Sequence, residues 1–96
     1  MNALNVPVEM ISTCSAEGEV CPVRFRVRGR DGELHTVRIR RVRDTVEIPY
    51  FGVETFRFVC TAEIAGRERL FELRYNVRCH RWVLWQFLDA AGGRGA

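Results

Sequence analysis

A chain of 96 residues has room for one domain, burying roughly 60 to 65% of the surface that its unfolded form exposes. A hydrophobic fraction of 47% beside a charged fraction of 28% excludes a disordered chain, and no apolar run approaches the ~18 to 20 residues of a membrane helix. The net charge of +3 comes from fifteen Arg and no Lys against 12 acids, which by itself points only weakly to an anionic partner.

The opening residues, MNALNVPVEM, show no basic segment followed by an apolar core, so no secretory signal is expected and the cytoplasm is the default compartment. In a reducing compartment Cys14, Cys21, Cys60 and Cys79 are expected as thiols. Residues 6 to 12 read as a first strand, with Pro7 tolerable at its start or on a sheet edge, and Gly18 forms the following turn. Residues 21 to 27 alternate cleanly. Cys21, Val23, Phe25 and Val27 form an apolar face, and Arg24, Arg26 and Arg28 form a basic one.

At the next turn, a three-residue loop Arg30-Asp31-Gly32 matches faces better than the two-residue Asp-Gly alternative. It sets Phe25 opposite Val37 and Val23 opposite Ile39, with His35 at the end of the core face. It also sets Arg24 opposite Arg38, and a slip of two residues brings Arg40 opposite Arg24 instead. Every register that buries the apolar face therefore opposes arginine to arginine, which is destabilising unless a carboxylate, solvent or a bound anion relieves it. The alternation breaks at Arg40-Arg41, where a bulge is expected to bend the strand.

Residues 44 to 55 read as a long connection. Asp44 and Glu47 are spaced as a capping box, and Pro49 would stop any helix after one turn. Tyr50 and Phe51 follow, either tucked under a barrel end or presented for stacking or partner docking. Residues 56 to 64 form the most regular strand, and an Ala65-Gly66 turn pairs Phe58 with Leu73 and Phe56 with Tyr75. Ala suits such a turn poorly. The same register opposes Arg57 to Arg74.

Residues 70 to 88 carry five of the ten aromatic residues. Phe71, Leu73 and Tyr75 alternate with Glu72, Arg74 and Asn76 as a strand with one wet face, and residues 77 to 80 make the turn. After it Trp82, Leu84 and Leu88 occupy one parity and Val83, Trp85 and Phe87 the other, so the last strand presents apolar residues on both faces. Such a strand is covered twice or leaves one side for a partner. The tail, 89 to 96, lacks packing residues and is expected to be disordered.

The expected architecture is a single all-β domain over residues 1 to 88. Its strands span 6 to 12, 20 to 28, 34 to 43, 56 to 64, 67 to 76 and 81 to 88. They form a six-stranded antiparallel meander curled into a small, partly open barrel or a compact sandwich.

The sequence carries no nucleophile elbow, paired carboxylates, phosphate-cradling loop or dinucleotide fingerprint, so no enzymatic activity and no cofactor are expected. Cys14, Cys21, Cys79 and His80 miss the spacing of a structural zinc site, and no metal is expected. Cys79, beside Arg78, His80 and Arg81, is placed for a lowered pKa if its turn is exposed.

Charge is unevenly spread. Residues 24 to 43 hold eight Arg against Asp31 and Glu33, a local charge of +6, whereas residues 1 to 23 and 44 to 63 each come to −3. Arg24, Arg26, Arg28, Arg38 and Arg40 are thus the candidate anion-binding residues, with Tyr50, Phe51, Trp82 and Trp85 the candidates for stacking or docking. Against this stands a solvated arginine face balanced by Glu63, Glu68 and Glu72. The expected partner is an anion such as nucleic acid. The alternative is a protein partner or homodimer on the apolar C-terminal strand, with no membrane and no small-molecule cofactor.

Overall fold

The computed structural model describes residues 4 to 50 and 52 to 89, with Tyr50 described by its backbone alone. Seven antiparallel strands and no helix make up this part of the chain: β1 Val6–Cys14, β2 Val20–Arg28, β3 Leu34–Arg38, β4 Arg41–Tyr50, β5 Val53–Ile64, β6 Arg67–Asn76 and β7 Arg81–Phe87. They form one sheet in the order β3-β2-β1-β7-β6-β5-β4, curled into a half-barrel. The all-β class is as expected, but the strands are seven and the meander is interrupted. β1 lies beside β7, and the open seam falls between the successive strands β3 and β4.

That seam replaces the predicted strand over 34 to 43. β3 stops at Arg38; the Ile39 N–H still donates to Val23 O at 2.9 Å, and the Arg40 N–H already donates to Thr61 O at 2.8 Å. Two residues carry the chain from one sheet edge to the other. The bulge lies three residues further on, at Arg43, between Val42 opposite Cys60 and Asp44 opposite Val59. The predicted connection with its capping box is instead strand β4, paired with β5 from Arg41 to Tyr50. A capping box gains little before Thr45-Val46 and Ile48, and β5 offers them a full-length partner. Pro49 is tolerated because β4 is an edge strand.

The turns follow the expected chemistry. In the β2–β3 loop the Gly29 N–H donates to Glu33 O at 2.8 Å, and Gly32 takes φ +81°. In the β5–β6 turn Ala65 adopts φ 53° and Gly66 φ 80°. An L-residue with a Cβ is strained there, by about 1 to 2 kcal/mol. Ala65→Asn, which tolerates this conformation, is therefore expected to stabilise the domain by about 0.5 to 1 kcal/mol. A urea-unfolding midpoint that falls instead of rising would show the turn to be unstrained.

The core consists of Phe25, Val37, Phe58, Cys60, Ala62, Phe71, Leu73, Trp82 and Leu84. Two bulges change which residues reach it. In β2, Ile11 pairs with Arg24 and Ser12 with Pro22, leaving Val23 as the extra residue. Phase is lost there: Pro22 turns inward, while Val23 and Cys21, both expected inside, are exposed. In β7, Leu73 pairs with Leu84 and Glu72 with Gln86, leaving Trp85 as the extra residue. Phe87 consequently shares the inner face with Trp82 and Leu84, packing edge-on against Phe71 at 6.2 Å. The last strand is therefore not apolar on both faces in the sense expected. Burial pushes the Cys60 thiol up to about 12, so it stays protonated.

Asp89, placed by the sequence at the start of the tail, accepts hydrogen bonds from Arg69 Nε at 2.8 Å and from the Leu70 N–H at 3.1 Å. The Arg69 guanidinium holds its carboxyl below the usual value. The rest of the predicted tail, 90 to 96, lies outside the described residues.

Candidate anion-binding groove

β1, β2 and β3, together with Ile39 and Arg40, line an open groove of about 1050 Å³ that also reaches the core-packed Met10 and Phe25 and the β5–β6 hairpin at Glu63 and Gly66. Arg24, Arg26, Arg38 and Arg40 all line it. The register is the predicted one, with Arg24 directly opposite Arg38 and Phe25 opposite Val37. Alternation sends the phenylalanine and valine into the core and both arginines outward.

The arginines differ in what they touch. Arg26 Nε donates to Glu9 Oε1 at 2.6 Å, so the interleaved carboxylate comes from β1. Arg40 lies 3.8 Å from Glu68, a loose and exposed ion pair. Arg28, the fifth candidate, bends back to donate to Gly32 O in its own hairpin and does not line the groove. Among the described residues Arg24 and Arg38 face each other with no carboxylate partner.

The aromatic candidates do not converge on this groove. Trp82 is only 7% exposed and packs against the tilted rings of Phe58 at 5.2 Å and Tyr75 at 4.7 Å, so it belongs to the core and not to this groove. Trp85 lies on the outer side of β7 with the Arg74 guanidinium 4.0 Å from its ring centre. The Tyr50 side chain and Phe51 lie outside the described residues.

The neighbouring part of the outer face holds a feature that sequence reasoning missed. Glu72, expected on a wet face, is 1% exposed. It accepts from Arg74 Nε at 2.6 Å and Gln86 Nε2 at 2.9 Å, and its Oε2 lies 3.3 Å from Arg57 Nε. This carboxylate relieves the Arg57–Arg74 opposition that the register imposes. The signal was present in the opposed arginines, but burial depended on the Trp85 bulge, which turns both Trp85 and Gln86 over the site.

Other reactive side chains are scattered. His35 is exposed and lies 3.2 Å from Asp31, whose carboxyl is held below its usual value by the Glu33 N–H and then by His35. Cys79 is exposed in the β6–β7 turn, where His80 Nδ1 lies 3.0 Å from the Tyr75 hydroxyl. Thr13 pairs with Cys21 and Cys14 with Val20, so Cys14 and Cys21 point to opposite faces of the β1–β2 ladder. No three His, Cys, Asp or Glu among the described residues are placed to hold a metal ion. No helix among them is long and apolar enough to cross a membrane. No family model matches the sequence, and no curated protein or solved structure matches it either.

Proposed function

We propose that this chain is a non-catalytic cytoplasmic binding module that takes an anionic partner, nucleic acid foremost, in the groove over β1–β3. The observation that supports this reading is the Arg24–Arg38 pair. Two guanidinium groups on directly opposed residues repel, and a phosphate between them would convert that repulsion into two charge-assisted hydrogen-bond sets. Four arginines line the groove against two carboxylates, Glu9 and Glu63, and its one ring, Phe25, is 1% exposed, which suits contact with phosphates more than stacking of bases. The alternative, an interface on the apolar C-terminal strand, has less support. β7 is flanked by β1 and β6 and turns Phe87 inward.

Anisotropy of labelled single-stranded DNA, RNA and duplex DNA, at low and at physiological salt, tests the proposal. Saturable binding that weakens steeply with salt is expected. Arg24→Glu or Arg38→Glu should weaken it by about tenfold or more, each lost phosphate contact lowering the salt slope by about 1. The same variants should hold or raise thermal stability, since each relieves the opposed charges. Absence of binding to all three probes at low salt would retire the groove as a nucleic-acid site.

A further inference from the structure

β1 is longer than its partnership with β7. That pairing runs from Val6 opposite Leu84 to Val8 opposite Trp82 and stops, because β7 begins at Arg81. Residues 9 to 14 pair with β2 alone. Their other side is a row of backbone N–H and C=O groups with no strand against it among the described residues.

This edge lacks the usual protection. The irregularity of the β1–β2 ladder lies in β2, so β1 itself runs regularly. Pro7 precedes the bare segment, and its one charged residue, Glu9, is engaged by Arg26. By contrast the β4 edge carries a bulge at Arg43 and a proline at 49. Bulges, prolines and free charges are what natural sheets use to keep strands from adding, and β1 beyond Val8 has none of them.

Where β1 leaves β7 there is a cleft of about 630 Å³, walled by Val8 and Met10 on one side and Tyr75 and Trp82 on the other. His80 and Arg81 stand at the end where β7 begins.

We propose that this edge receives the C-terminal end of a partner polypeptide as an added strand. The added strand would keep the antiparallel sense that β7 has against β1. A strand prolonging the line of β7 beside residues 9 to 14 then runs toward Arg81. There the β6–β7 turn occupies its path, and an internal segment would have to bend away. A chain that ends there instead leaves its carboxylate beside Arg81 and His80. Arg81 is exposed and has no ion-pair partner among the described residues. His80 engages Tyr75 through Nδ1 and keeps Nε2 for a ligand. Backbone pairing with capture of a terminal carboxylate is an established mode of peptide recognition.

The test is a display library of random peptides with free C-termini, selected on the full chain, with the selected sequences synthesised as acids and as amides. Acids should bind about tenfold or more tightly than amides. They should shift the amide resonances of residues 9 to 14, lose affinity on Arg81→Glu, and be indifferent to Arg24→Glu. The proposal is overturned if selection enriches nothing beyond an Arg81→Glu control. It is equally overturned if acids and amides bind alike, or if the shifts fall on β3 or β4.

Discussion

Glu72→Ala is expected to destabilise the domain by about 3 to 5 kcal/mol, the largest loss from any one charged side chain here. The carboxylate is 1% exposed, and three groups depend on it: Arg57, Arg74 and Gln86. Its removal leaves opposed arginines whose side chains are 31% and 16% exposed, too buried for water to replace the lost partner fully. A domain of this size has roughly 5 to 15 kcal/mol in total, so the variant should lose a large part of its urea resistance. Glu72→Gln keeps acceptor and shape while removing the charge, and should lie between the two. A loss below about 1 kcal/mol for Glu72→Ala would show that the carboxylate is solvated after all.

Phe58→Ala should cost a similar amount, about 3 to 5 kcal/mol, for an unrelated reason. Phe58 is 2% exposed, pairs with Leu73 across β5–β6, and packs on Trp82 and Phe56 at 5.2 and 6.4 Å. Truncation leaves a cavity bounded by rigid strand backbone, which cannot collapse to fill it. Because Trp82 forms one wall, the emission of the folded protein should change together with the unfolding midpoint. A stability change well under 1 kcal/mol would mean that the inner face of β5 has been misassigned.

These two residues mark what could be read from the chain and what could not. Phe58 follows from simple alternation: β5 and β6 run in unbroken register from Thr55 opposite Asn76 to Ile64 opposite Arg67. The β2–β3 hairpin, with Arg24 against Arg38, was legible for the same reason. Glu72 was not, because its burial depends on the extra residue at Trp85, and apolar residues on both parities of that strand hide the change of phase. Val23 and Arg43 are the other two bulges, and of the three only the one at Arg43 shows in the sequence, as the broken alternation at Arg40-Arg41. Each exchanges faces for the residues beyond it, which is why Cys21 and Phe87 lie opposite to expectation. The β1–β7 pairing was hidden for another reason. It joins residues far apart in sequence, with no turn between them to announce it. Of the five arginines assigned to the anion site, four line the groove. The aromatic half of that assignment was less legible, since parity cannot distinguish a buried tryptophan from a presented one.

The place of β7 between β1 and β6 has a consequence for the order in which this chain can fold. Three strands from the amino-terminal side and three from the middle can each zip up locally, but only the last-made strand joins them. During synthesis at ~5 to 20 residues per second, the two ladders wait with their inner faces exposed until residues 81 to 87 leave the ribosome. The half-barrel then closes on its most non-local contacts, Val6 with Leu84 and Val8 with Trp82, the kind that make folding slow for its size.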